Sequence, residues 1–187
     1  MCFAIILLKS IMPKRLTDRL KPDSIDEFIA AACERYCDGI ELAGQSRRTA
    51  AIYLFGYSAE MLLKASYFRA VGVSRSASLG MQSHLRPAVT HAQRLGVNWP
   101  RHHNLHYVQG WAELLVVFQQ NRVSPVPIPP TSPYADPTFG QQITSHATTV
   151  QNLWNESLRY HKNRAYEYEL RRMQSSVDWL MKSLPQL

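Results

Sequence analysis

Apolar residues recur at three- and four-residue steps along most of this chain, and no segment alternates as a half-buried strand would. The first helix is predicted to begin at Ser24. In Ser24-Ile25-Asp26-Glu27 the serine and Glu27 can satisfy each other's backbone amides, a capping box. Ile25, Phe28, Ile29, Ala32, Cys33, Tyr36, Cys37 and Ile40 then follow at helical spacing, and Gly44-Gln45 ends the run. A second helix is predicted from about Arg47 to Ala70, with Gly72 as its C-cap. Its expected apolar face carries Ala50, Tyr53, Leu54, Tyr57, Met61, Ala65 and Phe68. Glu60 and Lys64 lie four apart in the favourable order, as a surface pair would.

After a loop from Val73 to Ser83, a shorter helix is expected from Pro87 to Gly96, and another from about Leu105 to Gln120. The apolar run Leu114-Leu115-Val116-Val117-Phe118 reads as helix, because the helical period continues on its flanks. Residues 123–137 are rich in proline and read as an extended connection. From about Gly140 the helical pattern resumes, and it is expected to run as one long C-terminal helix nearly to Leu184. Trp154, Leu158, Leu170, Met173, Val177 and Leu180 supply its apolar positions. The fold class is all-α: a single domain over residues 22–187, preceded by an N-terminal extension at 1–21.

Composition narrows this picture only slightly. Of 187 residues, 45% are hydrophobic and 19% charged, enough for a core without metal or disulfide staples. The net charge of +7 favours polyanionic partners, nucleic acid or an acidic protein. Three cysteines, Cys2, Cys33 and Cys37, form no disulfide framework and fit a reducing, cytoplasmic setting. The apolar stretch Cys2–Leu8 is too short to span a bilayer and lacks a cleavage site, so no membrane role is expected. Met12 opens a more ordinary start, and residues 1–11 read as an over-long gene start or a loosely ordered extension, with a membrane-surface anchor as the lesser alternative.

The segment from Ala50 to Ala65, with Ala59-Glu60-Met61-Leu62-Leu63-Lys64-Ala65 at its core, resembles the second helix of HEPN domains. His103-Asn104-Leu105 resembles the opening of the family's third helix, and Arg159-Tyr160 a pair in its C-terminal helix. The closing turns Val177-Asp178-Trp179-Leu180 are similar as well. The resemblance implies a bundle of four to five helices, often a homodimer. It also implies work on or near RNA in toxin–antitoxin, defence or nucleotidyltransferase-associated systems.

Active HEPN ribonucleases place an Arg and a His with four to six residues between them near the start of the last helix. There the Arg steadies phosphate charge and the His moves a proton. Arg159 is followed too closely by His161, and Arg164, Arg171 and Arg172 have no His after them, so the motif is missing where it belongs. Arg86/His91 and Arg101/His106 match the spacing elsewhere, and His102 supplies the polar residue that active members favour after the Arg. Chance alone yields roughly two such pairs in a chain this rich in Arg with 7 His. The bland reading of His103 is a loop or capping role. Arg159, His161, Lys162, Arg164, Arg171 and Arg172 form the best basic patch, offset in part by Glu156, Glu167 and Glu169. Cys33 and Cys37 share a helical face without completing a metal-ligand set, and helix-face cysteines are usually core residues. Tyr53, Tyr57, Tyr67 and Phe68 read as core or dimer-interface aromatics. No phosphate loop or nucleophile elbow occurs, and no cofactor or metal is expected.

The leading expectation is therefore a non-catalytic, dimeric HEPN-like module that binds RNA or a partner protein. Its rivals are a metal-independent ribonuclease using Arg101 and His106, or Arg159 and His161 in a shifted geometry, and an antitoxin-like interaction protein.

Overall fold

Ser24 caps the first helix, as its place before an apolar run requires. Its backbone is extended (φ −148°, ψ 171°) and its hydroxyl accepts from the Glu27 amide at 3.1 Å, opening α1 (Ile25–Gly44). The Glu27 carboxylate turns outward to Lys21, 3.0 Å away. The computed structural model describes residues 20–100, 104–120 and 133–184. Of the N-terminal extension only Leu20 and Lys21 fall among these.

A tight turn with Ser46 in the left-handed region (φ 61°) folds α2 (Arg48–Ala70) back along α1. The two helices approach closely at Gly39, where a Cβ would come within 2.7 Å of the Phe55 ring. Beside that crossing the buried Ser58 hydroxyl donates to the Ala32 carbonyl at 2.8 Å. Cys33, Cys37 and Ile40 lie on the solvent side of α1, so the two cysteines are exposed thiols rather than core residues.

α2 is the central helix, packed by α1, α4, α5 and α6. The expected single apolar face is corrected accordingly. Ala51, Phe55, Ala59, Leu62 and Leu63 are the most deeply buried, whereas Ala50, Tyr53, Leu54, Tyr57 and Met61 are half-buried. A helix enclosed on nearly every side has no one apolar stripe to display. Enclosure also buries the Glu60–Lys64 pair, whose spacing would have counted as a small helix-surface gain only if exposed.

Met81–Leu85 form a π-helical turn leading into α3 (Arg86–Arg94), with Pro87 in the first turn of the helix and Gly96 (φ +81°) just past its end. α4 (Val108–Gln120) contains the run Leu114–Phe118 as helix. It starts later than Leu105 because Asn104–Tyr107 make a turn instead. The Asn104 side chain accepts from the His106 amide at 2.9 Å, and the Trp111 indole donates to the Leu105 carbonyl at 2.9 Å. Most of the proline-rich connection lies outside the described residues. At its end Pro133–Ala135 form a 3-10 turn and α5 (Pro137–Leu153) begins.

The single long C-terminal helix is also corrected: α5 ends at Leu153, and α6 runs from Glu167 to Ser183. Trp154 causes the break. Its backbone is extended (φ −128°, ψ 139°), its indole is buried against Gly56, and Nε1–H donates to the Tyr53 carbonyl at 3.0 Å. Asn155 then caps a 3-10 turn, Glu156–Tyr160, by accepting from the Ser157 amide at 2.9 Å. The outcome is an all-α bundle of six helices among the described residues, rather than four to five. Among those residues no helix is long and apolar enough to cross a membrane.

Candidate functional site

Three ionisable side chains meet at the middle of α2. Glu60 is only 3% exposed, and its Oε1 accepts from Lys64 Nζ one helical turn on. The Lys64 side chain is 8% exposed, and its ammonium lies 5.5 Å from the centre of the Trp111 ring. The second Glu60 oxygen is 2.9 Å from Nδ1 of His106, presented by the turn before α4. Nε2 of the same ring is 3.2 Å from the Glu156 carboxylate in the 3-10 turn after α5. Tyr57 and Trp154 meet the imidazole edge-on, with centroids at 6.1 Å and 6.4 Å.

Carboxylates only accept hydrogen bonds, so facing both ring nitrogens with them favours the doubly protonated imidazolium. The pKa of His106 is correspondingly raised above its ordinary value. The Glu60 hydrogen bond is the largest cause, opposed by desolvation and by Lys64, while the charges of Glu60 and Glu156 add to the rise. Burying a carboxylate with an ammonium costs several kcal/mol per ion, about what well-placed partners return. A helix that carries such a pair gains little stability from it, and buried ionisable groups of this kind concentrate at functional sites.

The same 3-10 turn places Arg159 beside a groove of about 360 Å³ at the start of α2. Arg47, Tyr53, Arg159, His161, Lys162 and Asn163 are among its lining. Its walls are stitched together across the chain. The Asn163 carbonyl oxygen caps the Thr49 amide at 3.0 Å and its Nδ2 donates to the Ser46 carbonyl at 2.8 Å. Thr49 Oγ1 accepts from the amides of Arg164 and Ala165 at 2.8 and 2.9 Å. Tyr53 accepts from Arg159 and from Tyr57, whose pKa is pushed up by burial first and by that hydrogen bond second. A ring contact between Tyr53 and Tyr57 (5.0 Å) thus joins the groove to the His106 cluster.

The sequence-derived residues divide clearly. Glu60, Lys64 and His106 come together, and Arg101, His102 and His103 lie outside the described residues. Arg159, Tyr160, His161, Lys162 and Arg164 lie in the 3-10 turn and the extended segment before α6, not in the last helix. Of these, Arg159, His161 and Lys162 share the groove, whereas Arg164 joins His161 in an adjoining pocket of about 260 Å³. Arg171 is on exposed helix surface and pairs with Glu167, and Arg172 is exposed on the same helix. Arg86 bonds Gln82, while His91 meets the Tyr67 hydroxyl at 3.1 Å, so that spacing match forms no joint site. Tyr67 and Phe68 are core, whereas Tyr53 and Tyr57 are half-buried and belong to the cluster. No group of His, Cys, Asp and Glu among the described residues could hold a metal ion. Glu156 and Arg47 were not singled out as site residues, and nothing in their local sequence marks them. No protein-family model matches the chain, and no curated protein or solved structure matches it.

Proposed function

We propose that the chain is a HEPN-like module that binds RNA and cleaves it without metal, with His106 as general acid. The observation that carries this reading is the buried Glu60 carboxylate bonded to His106 Nδ1, which favours the protonated ring, beside the exposed Glu156 carboxylate. In the proposed reaction Glu156 takes the ribose 2′-hydroxyl proton, and the 2′-oxygen attacks phosphorus. The 5′-oxygen leaves with the proton from His106 Nε2, giving a 2′,3′-cyclic phosphate and a 5′-hydroxyl end. Arg159, three residues along the same turn, supplies positive charge for the phosphate. Arg101 retains its place as a second cation by its spacing from His106. The homodimer and the toxin–antitoxin, defence or nucleotidyltransferase setting belong to the proposal through the family resemblance.

A second reading, a non-catalytic module that binds RNA or a partner protein, is favoured by one observation: Nε2 of His106 is already engaged by Glu156. One assay separates the two. End-labelled RNA is incubated with the full chain in EDTA, beside His106→Ala and Arg101→Ala. Cyclic-phosphate fragments that the His106 variant does not make support cleavage. RNA retained uncut, with the variants indistinguishable, removes the catalytic reading and leaves the binding one.

A further inference from the structure

We infer that the groove between the start of α2 and the segment leading into α6 is a track for single-stranded RNA, with Tyr160, packed beside the groove residue Arg159, serving as a stacking face. This rests on the RNA reading above but locates the binding and restricts the form of substrate. Arg47, Arg159 and Lys162 bring three permanent cations to the groove, and no carboxylate is among its lining residues. The groove therefore complements a chain of phosphates. Among the described residues six large apolar or aromatic side chains are exposed, and three are tyrosines within nine positions: Tyr160 (75%), Tyr166 (65%) and Tyr168 (59%).

Burial does not explain these rings, and Tyr160 lies between two cations of the groove, Arg159 and Lys162. The Arg159 guanidinium lies 4.7 Å from the centre of the Tyr160 ring, and Tyr166 and Tyr168 stack nearly parallel at 5.8 Å and 11°. Cations that follow a backbone, interleaved with exposed aromatic faces, suit unpaired bases. A duplex has its bases stacked on one another and offers no free faces. Tyr53 on the groove wall touches Tyr57, and Tyr57 touches His106, so contacting rings link the groove to the proposed acid.

The test measures binding by fluorescence anisotropy with 2′-O-methyl RNA, which the proposed cleavage cannot cut, against a duplex of the same sequence. The wild-type chain is expected to bind the single strand at least about tenfold more tightly. Arg159→Ala combined with Lys162→Ala, both exposed positions, should weaken binding at least about tenfold and lower the salt slope by about two. Tyr160→Ala should cost about fivefold or more with the slope unchanged. Equal affinity for duplex and single strand, or full affinity in the charge variant, overturns the proposal. Groove-dependent binding without cleavage of unmodified RNA sustains the track and sinks the catalytic reading. Cleavage at unchanged KM in Arg47→Ala combined with Lys162→Ala, exposed groove cations outside the proposed reaction, does the reverse.

Discussion

Gly56 lies directly beneath the indole of Trp154, so close that a Cβ at position 56 would fall 2.1 Å from the ring. The contact fixes where α5 stops and therefore where the turn bearing Glu156 and Arg159 sits. Gly56→Ala is expected to destabilise the fold by about 1–3 kcal/mol, because the bulky indole has no free space to retreat into. A drop in the denaturant midpoint at unchanged m-value checks this. An unshifted midpoint would mean that the indole is not seated there.

Glu60 distinguishes a charge effect from a shape effect. Glu60→Ala leaves Lys64 buried without its partner and should cost about 3–5 kcal/mol. Glu60→Gln preserves shape and a hydrogen-bond acceptor, so it should cost less while releasing His106 from its negative neighbour. Calorimetric unfolding of the two variants should rank them in that order; equal losses would contradict the buried-pair account.

The pH dependence of His106 has a definite sign. Its folded-state pKa is raised, so its contribution to stability is fully present below the unfolded value of about 6.5 and is lost as pH rises through the folded value. Melting temperatures of wild type and His106→Gln should diverge at acidic pH and converge under alkaline conditions. If His106 is the acid, cleavage should also decline on that alkaline limb. A difference that grows with pH would refute the assignment.

His146 is expected to act oppositely. Desolvation lowers its pKa where it stacks on Trp179, with centroids 4.6 Å apart. The neutral ring is favoured, so stability is intact above about 6.5 and falls as pH drops through the folded value. Imidazole proton shifts followed by NMR should place His146 below and His106 above the ordinary histidine value.

Asn163 holds the groove closed by capping α2 from over a hundred residues away. Asn163→Ala should cost about 1 kcal/mol, as the loss of a helix cap does, and weaken RNA binding although it removes no charge. Thermal unfolding and anisotropy on one preparation read both effects.

Periodicity and capping made most helices legible: Ser24, the turn after Gly44, Pro87 and the run Leu114–Phe118 all speak locally. Trp154 does not. Its apolar side chain fits a continuing helix, and only the space above Gly56, nearly a hundred residues earlier, turns it into a stop. Glu60 and Lys64 carry the same ambiguity. Their spacing is that of a surface ion pair, and only the central place of α2 in the bundle encloses them. The spacing of His106 to Arg101 is no better than chance, and its carboxylate partners come from α2 and from the turn after α5, contacts no local pattern encodes.

The seam in which Thr49 receives the Arg164 and Ala165 amides has a temporal meaning as well as a spatial one. A chain emerging from the ribosome can settle its α1–α2 hairpin early, but the groove has only one wall until residues 158–165 arrive. On the proposed reading, the RNA surface is therefore completed only after the hairpin has formed. A single cut in the segment joining the 3-10 turn to α6 would silence the surface while sparing the hairpin.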